Sequence, residues 1–309
     1  MNSDILNDFF IHITNKGFKV DSVHFISNEA DIFLGCNSLV NIHSAAKTFV
    51  SLAFGIAMEK YKIDVYRPII DYFPEYRKKA SNGTEKIRII DLLHMQSGKR
   101  MRSLLQKSGR SLWDEDWLSW FFEAPLDFIP GTQFCYSSHS CYVIGRLIEK
   151  VSGQDVNDFL DKPFWSQLGI DIPDWSKCPK GYSNGAGNLI LTCKDFSKIG
   201  VVLLNHGFYY DKYTCSPDYI SLVTSNIVNS SGPFKWNDYE CQNGYGFFIW
   251  KCSRPNTYCA WGAGGNFCVI NYNKGYVLTI TAIRDDVWQE KNDHEILHSI
   301  WKLIDSKIT

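Results

Sequence analysis

The N-terminal part of the chain places apolar side chains first at helical and then at strand spacing. Apolar residues recur at helical spacing from 5 to 13, with Ser3 placed to cap the helix and Gly17 to end it. Residues 20–27 and 30–34 are short β-prone runs, and the polar pair between them indicates a turn. This pattern predicts an N-terminal helix followed by a β-hairpin.

From residue 44 the pattern changes to a long helix whose interior is mostly apolar, which predicts a buried helix. Residues 65–204 alternate helical patches with proline and glycine breaks and contain few clear strands. Past residue 240 the chain is rich in aromatic and β-branched residues over three strand-like runs, 245–250, 266–272 and 276–283. A final helix is predicted over about 293–308.

The order of these elements predicts a fold class and a division into domains. A helix, a hairpin, a helical insertion, antiparallel strands and a closing helix make an α/β (α+β) fold. In that fold an antiparallel sheet is flanked by helices and bears an all-helical lobe. We expect residues 1–64 and 205–309 to form one discontinuous α/β domain, and residues 65–204 to form the all-helical insertion.

The charge balance gives little reason to expect a charged macromolecular partner. Lysine and arginine number 32, and aspartate and glutamate 33, so no general attraction to nucleic acid or to an anionic membrane is expected. The short basic clusters at 77–79 and at Lys99, Arg100 and Arg102 are interpreted as solvated faces. The expected partner is a small-molecule or peptide-like substrate, with no nucleic acid and no membrane.

The cysteines and the N-terminus favour a cytoplasmic location. No basic start followed by an apolar run opens the sequence, and no apolar stretch reaches membrane-spanning length. The 10 cysteines are scattered without Cys-x-x-Cys spacing, which fits reduced thiols and gives no zinc or redox motif. A disulfide framework stays open as an alternative. We expect neither a metal nor an organic cofactor.

The first candidate chemistry is a Ser-x-x-Lys sequence, Ser44 to Lys47, at the start of the long apolar helix. This spacing puts the hydroxyl and the amine on one helix face, one turn apart. A serine at a helix N-terminus lies in the positive end of the helix dipole, and its backbone N–H can point at a developing oxyanion. A buried lysine loses its proton more easily, so it can serve as the base for acyl transfer. Because the motif recurs at Ser299 and Lys302, the spacing alone does not identify a site.

Three further stretches lie in the order and at the separations of a known family. Residues 91–98 (Asp-Leu-Leu-His-Met-Gln-Ser-Gly) resemble its Leu-Leu-x-His-x-Ser-Gly segment. Residues 130–138 (Pro-Gly-Thr-Gln-Phe-Cys-Tyr-Ser-Ser) are similar to its Pro-Gly-x-x-Phe-x-Tyr-Ser-Asn loop. Residues 184–189 and 195–200 resemble its Gly-Gly-Leu and Asp-Leu-Ala-Arg-Phe-Gly stretches. Each match is moderately specific, and their collinearity is the stronger signal.

The chain therefore resembles the serine β-lactamase-like and penicillin-binding proteins. This family includes class C β-lactamases, D-alanyl-D-alanine peptidases, and related esterases and amide hydrolases. The resemblance implies a serine hydrolase that forms an acyl-enzyme. Ser44 would be the nucleophile, Lys47 its base and Tyr136 the proton shuttle.

The third motif of the family corresponds to a glycine-rich segment before a strand-like run. The family has Lys-Thr-Gly, His-x-Gly or Trp-Gly-Gly there, and the next residue provides the second oxyanion N–H. Pairing residues 260–262 (Ala-Trp-Gly) with the motif makes Ala263 that donor, beside the N–H of Ser44. A slip of one residue would make it Gly264. The competing interpretation is a plain glycine-rich turn.

Two departures from the family pattern bear on the substrate. The asparagine after Tyr-x is Ser138 here, and no lysine or histidine stands at Ala260 or Trp261. A cation for a substrate carboxylate is therefore missing, although β-lactams and D-Ala-D-Ala peptides both have that carboxylate. An esterase or small-amide hydrolase fits better, with Ser138, Trp261, Gly262 and Gly264 as the expected substrate-binding residues.

Two alternatives compete with this prediction. The same pocket could serve a non-catalytic or slowly acylating penicillin-recognising sensor. Separately, residues 294–298 match the zinc motif His-Glu-x-x-His, but the following residues 299–309 provide only Asp305 as a further ligand. The zinc hypothesis is therefore disfavoured.

Overall fold

The computed structural model describes residues 1–100, 116–231, 239–283 and 293–308. Its main feature is an antiparallel sheet of seven strands in the order β2-β1-β11-β10-β9-β8-β7. Two small two-stranded sheets pair β3 with β4 and β5 with β6. The strands are β1 (Val20–Ser27), β2 (Asp31–Gly35), β3 (Val40–Asn41), β4 (Ile190–Leu191), β5 (Phe208–Tyr209), β6 (Lys212–Tyr213), β7 (Tyr245–Gly246), β8 (Ile249–Lys251), β9 (Thr257–Gly262), β10 (Asn266–Asn271) and β11 (Tyr276–Ala282).

Helices surround this sheet and form a lobe beside it. The α-helices are α1 (Ser3–Asn15), α2 (Ala46–Tyr61), α3 (Ile89–Leu93), α4 (Trp117–Glu123), α5 (Ser138–Ser152), α6 (Val156–Phe159), α7 (Cys193–Leu204), α8 (Pro217–Ser225) and α9 (His294–Leu303). Helix α1 packs against β1, β2 and α9, and α7 packs against β1, β10 and β11. Strands β10 and β11 are buried along their whole length, so helices cover both faces of the sheet centre. The predicted fold class is confirmed.

The predicted N-terminal hairpin is present, but two local predictions are wrong. Asn2, not Ser3, caps α1, because the Asn2 Oδ1 atom accepts from the backbone N–H of Asp4 at 2.7 Å. The run 245–250 is two strands, because Phe247 and Phe248 adopt φ values of 49° and 62° and turn the chain back. Two phenylalanines are poor turn residues by local preference, so burial of both rings decides this turn.

The predicted division into an α/β domain and a helical insertion stays a prediction. Helix α7 lies inside the expected insertion 65–204, yet it packs on the sheet. Its Gly200 lies so close to the sheet that an added Cβ would be 2.6 Å from the Val277 side chain. Among the described residues, no helix combines the length and the apolar character that crossing a bilayer requires.

Candidate active site

Ser44 lies in a tight turn that leads directly into α2. Residues His43–Ala45 form a single 3-10 turn, and the backbone N–H of Ala46 donates to the carbonyl oxygens of His43 and Ser44. His43 has a φ of 49°, a conformation that costs energy for a non-glycine residue and here precedes the predicted nucleophile. Ser44 is half-buried, whereas Lys47 in the first turn of α2 is buried.

The buried Lys47 amine contacts two groups from separate parts of the chain. Its Nζ donates to the backbone carbonyl of Ala186 at 2.5 Å and lies 5.0 Å from the centre of the Tyr136 ring. The Cys141 thiol is also close to this charge, but burial raises its pKa to about 12. Because a protonated thiol is a poor nucleophile, Cys141 is not a candidate nucleophile at neutral pH.

The carbonyl that meets Lys47 is held in place by an asparagine turn. The Asn184 Oδ1 atom accepts from the backbone N–H groups of Ala186 and Gly187 at 2.8 and 3.0 Å. Short polar side chains commonly fix turns in this way. The segment predicted from its resemblance to Gly-Gly-Leu therefore brings one backbone oxygen to the lysine.

The Tyr136 loop is built against the segment that follows α3. The N–H of Cys135 donates to the carbonyl of Met95 at 2.7 Å, and the N–H of Ser137 donates to the Met95 sulfur at 3.3 Å. The Tyr136 ring then stacks on Trp250, with ring centres 5.7 Å apart and planes 21° apart. Two of the predicted motifs therefore meet here, and β8 provides the surface behind them.

In the described chain, hydrogen bonds do not connect Ser44 to the other two predicted catalytic residues. Lys47 and Tyr136 are in contact, and Ser44 is three residues before Lys47 at the helix start. Within the described parts of the chain, Ser44 Oγ makes no hydrogen bond to Lys47 or Tyr136. Such bonds are often long without substrate and tighten in the reacting complex.

The third motif lies directly against the nucleophile turn. A Cβ atom added to Gly262, at the end of β9, would be 1.9 Å from the carbonyl oxygen of Ile42 and 3.3 Å from the backbone nitrogen of Ala45. Only glycine permits this approach of the two backbones. The expected neighbour relation between the third motif and Ser44 is therefore present.

Two backbone donors at this contact have no protein acceptor. Across the described ranges, neither the N–H of Ser44 nor that of Ala263 donates to another group of the chain. The N–H of Gly264, the alternative donor, is already bonded to Asp293 Oδ2 at 2.8 Å. This geometry favours Ala263 over Gly264 as the second donor.

The predicted substrate-binding residues lie around this point. Ser138 is the first residue of α5 and is half-buried, as is Trp261 on β9. The Trp261 ring is 5.8 Å from Trp250 and 4.5 Å from the ring of His294. An aromatic wall thus runs from Tyr136 through Trp250 to Trp261.

The second Ser-x-x-Lys sequence has a plain structural role. Ser299 Oγ donates to the carbonyl of Glu295 at 2.8 Å within α9, and the Lys302 side chain is exposed. The Ser-x-x-Lys spacing therefore occurs here without the two side chains forming a common site.

The side chains of the His-Glu-x-x-His sequence also diverge. His294 Nε2 lies 3.1 Å from the sulfur of Cys241, Glu295 pairs with Lys16 at 3.4 Å, and His298 stacks on Tyr239. In the part of the chain that the structure describes, no cluster of three or more histidine, cysteine or acidic residues is arranged to hold a metal ion.

Three contributors to this site were not predicted from the sequence, namely Ala186, Met95 and Trp250. Two of them act through backbone oxygen atoms, which side-chain motifs do not encode. Trp250 is one aromatic residue among many, and its position behind Tyr136 depends on the unexpected turn at 247–248. A signal was available for Met95 and Ala186, because they lie inside the matched segments 91–98 and 184–189.

Comparisons with known proteins agree with this geometry. The family model described as Beta-lactamase matches residues 34–297. A curated relative, the N-acetylmuramyl-L-alanine amidase of Bacillus subtilis (strain 168), is 26% identical over 129 residues, which are 39% of this chain and 29% of that protein. The chain thus spans less than a third of that relative's length.

Solved structures with the same fold cover nearly the whole chain. A beta-lactamase candidate from Bacteroides dorei DSM 17855 superposes with a TM-score of 0.79 at 15% identity, covering 97% of this chain and 98% of that one. A family VIII carboxylesterase superposes with a TM-score of 0.75 at 14% identity, covering 98% and 97%. With a family model over most of its length and this shared fold, the chain belongs to the beta-lactamase family of hydrolases.

Proposed function

We propose that this protein is a serine hydrolase that forms an acyl-enzyme on Ser44 and acts on short uncharged esters or small amides. The observation that carries the proposal is the pair of backbone donors at Ser44 and Ala263, which have no acceptor in the described chain and flank the contact of Gly262 with Ile42. Paired donors of this kind stabilise the negative oxygen of a tetrahedral intermediate.

The proposed reaction uses the three predicted residues in order. Ser44 Oγ attacks the substrate carbonyl carbon and its proton passes to Lys47, while the carbonyl oxygen becomes an oxyanion beside the two donors. The tetrahedral intermediate collapses with cleavage of the bond between the carbonyl carbon and the leaving group, and Tyr136 protonates that group and takes a proton in turn from Lys47. Water then attacks the acyl carbon and gives a proton to Lys47. The bond between that carbon and Ser44 Oγ breaks, and the same proton returns through these groups to Ser44 Oγ. The contact of Lys47 Nζ with the Tyr136 ring supports this relay.

The preference for uncharged substrates is supported by the wall of the site. No lysine or histidine stands at Ala260 or Trp261, and the Trp261 ring packs against Trp250. Indole rings pack favourably on apolar acyl or leaving groups and offer nothing to a carboxylate. Names among the relatives and neighbours include both an amidase and a carboxylesterase, so both substrate classes belong in the test.

We also propose that the protein works in the cytoplasm. None of the ten cysteines, all of which lie in the described residues, forms a disulfide bond, and nine of them are buried. This supports a reducing environment, in which thiols are not oxidised to disulfides.

The decisive experiment is labelling with a fluorophosphonate, whose serine adduct places an oxygen where the oxyanion would be. We expect one adduct by intact mass, mapped to Ser44, together with turnover of p-nitrophenyl esters. Ser44→Ala should abolish both, whereas the matched control Ser299→Ala should retain both. Melting temperatures of the two variants should stay near that of the wild type.

The possible outcomes separate enzyme from sensor. Labelling of Ser44 without ester or amide turnover would support the slowly acylating sensor instead. A folded protein that neither labels nor turns over any ester would refute the proposal.

A further inference from the structure

The turn between β9 and β10 is held by two side chains that bond to the same peptide unit. The carbonyl of Ala263 accepts from Asn266 Nδ2 at 3.0 Å. The N–H of the next residue, Gly264, donates to Asp293 Oδ2 at 2.8 Å. Both polar atoms of the peptide bond that follows Ala263 are therefore fixed from outside the turn.

This turn needs such support because of its composition. Gly264 and Gly265 adopt φ values of 85° and 98°, and glycine reaches these values and many others at little cost. Without external bonds, two adjacent glycines would let the peptide after Ala263 rotate. On the other side of Ala263, Gly262 pairs with Asn266 and lies against Ile42.

The Asp293 side chain supports the turn between β9 and β10 instead of capping α9. Asp293 immediately precedes α9, where an aspartate commonly caps the first turn, but its side chain makes no capping bond to that helix. Its carboxylate is directed at Gly264 instead, and only 8% of the residue is exposed. A buried carboxylate that accepts from a backbone N–H forms a strong, directional bond.

We infer that Asp293, with Asn266, is a positioning residue that sets Ala263 as the second oxyanion donor. The bond from Gly264 to Asp293 removes the competing donor. The Ala263 N–H belongs to the preceding peptide, on the side where Gly262 pairs with Asn266. Fixing the peptide that follows Ala263 therefore restricts rotation about this residue from the other side and holds the direction of its N–H. This inference rests on the proposed function. Neither residue touches the reacting atoms, so the effect on catalysis is indirect.

The test compares three variants in steady-state turnover of a p-nitrophenyl ester. Asp293→Ala should lower kcat by on the order of 10-fold to 100-fold with KM changed less than about twofold, because a misdirected donor weakens binding of the transition state only. Asp293→Asn keeps an acceptor oxygen and should return kcat to within about threefold of the wild type.

Asp305 provides the matched control. It is also 8% exposed, lies beyond the other end of α9, and accepts from Asn271 Nδ2 at 3.0 Å and the Tyr276 hydroxyl at 3.1 Å. Asp305→Ala should lower the melting temperature while kcat stays within about twofold. Equal losses of kcat in Asp293→Ala and Asp305→Ala, or wild-type kcat in Asp293→Ala, would overturn the inference and leave the proposed function standing.

Amide hydrogen exchange separates this inference from the proposed function. In protein labelled with ¹⁵N-glycine, the Gly264 amide should be protected in the wild type and in Asp293→Asn, and should exchange rapidly in Asp293→Ala. Rapid exchange of Gly264 in the wild type would overturn the inference. A wild type that neither turns over esters nor labels at Ser44 would refute the proposed function and with it the catalytic role of Asp293, whatever the exchange result.

Discussion

Lys47 and Lys99 are both almost fully buried, at 1% and 0% exposure, and each lies near an aromatic ring. Their surroundings differ in the number of oxygen atoms. Lys99 Nζ donates to five, from residues 81–84 and 121–124, at 2.6 to 3.4 Å. Within the described chain, Lys47 Nζ donates to the carbonyl of Ala186 alone.

The aromatic rings beside the two lysine amines also differ. Lys99 lies 5.1 Å from the ring of Phe121, and Lys47 lies 5.0 Å from that of Tyr136, which has a hydroxyl. An amine surrounded by acceptors joins segments of the helical lobe and has no donor capacity left for a substrate. An amine with one acceptor can exchange a proton with a neighbour. Burial therefore does not distinguish the proposed catalytic lysine from Lys99, whereas unused bonding capacity next to a hydroxyl does.

The largest expected effect comes from changing each lysine to arginine, which keeps the charge and cannot act as a base at neutral pH. Lys47→Arg should lower kcat by on the order of 10³-fold. Lys99→Arg should cost about 1–3 kcal/mol of stability through overpacking, with kcat/KM of the folded protein nearly unchanged. Ester kinetics and urea unfolding measure both. Wild-type turnover in Lys47→Arg would remove the distinction between the two lysines.

The hydroxyl of Tyr136 is the next most sensitive group. Tyr136→Phe would make the ring beside Lys47 match the one beside Lys99, and should lower kcat by on the order of 10²-fold. Tyr245→Phe is the control, since Tyr245 also packs on Trp250, with ring centres 4.7 Å apart. It should keep kcat within about threefold. Equal losses in the two variants would mean that packing, not proton transfer, explains the effect.

A pH experiment tests the Lys99 site. Burial lowers the pKa of Lys99 to about 7, although the five oxygen atoms around it favour the ammonium form. Between about pH 7 and 10, an unfolded chain then binds the proton that the folded chain has lost. The free energy of unfolding should rise with pH by up to about 1.4 kcal/mol per unit, and below pH 7 this contribution should be constant.

The control for this experiment is Lys99→Met, which lacks the titrating group. The difference in unfolding free energy between the two proteins, measured in urea from pH 6 to 10, should give the slope. A difference that does not change with pH would mean that the oxygen atoms keep Lys99 charged.

The smallest expected effect concerns substrate choice. Neither buried lysine is directed at the third motif, so short uncharged esters should exceed cephalosporins in kcat/KM. Trp261→Ala should lower kcat/KM for p-nitrophenyl butyrate by about tenfold, or about 1.4 kcal/mol, through lost apolar contact. Its effect on p-nitrophenyl acetate should be smaller. A cephalosporin that exceeded both esters would contradict this prediction.

The sequence predicted the parts of the site that depend on short motifs or on alternating side chains. The hairpins of the sheet follow from their apolar patterns, and the Ser44 turn and Tyr136 loop follow from matched segments. These features are local, so a few neighbouring residues determine them. The roles of Ser44, Lys47, Tyr136 and Ala263 remain predictions that the experiments above test.

Features set by distant contacts were not predictable in this way. Lys99 was expected on a solvated face beside Arg100, and that prediction is wrong because carbonyl groups from α4 and its C-terminal end enclose the amine. Arg102, in the same cluster, lies outside the described residues. The bond between Gly264 and Asp293 joins positions 29 residues apart, and no local pattern encodes it.

The contact between Gly262 and Ile42 has a consequence for how the protein can vary. Any side chain at position 262 would overlap the backbone that precedes Ser44, so even alanine would push β9 away from the nucleophile turn. In a saturation mutagenesis library, this position should tolerate no substitution that retains activity. Laboratory evolution of new substrate preferences would then have to act through neighbours such as Trp261 and Ser138, whose side chains are half-buried and can change size. Gly262 thereby fixes the backbone next to Ser44, whereas the side chains at positions 138 and 261 can vary.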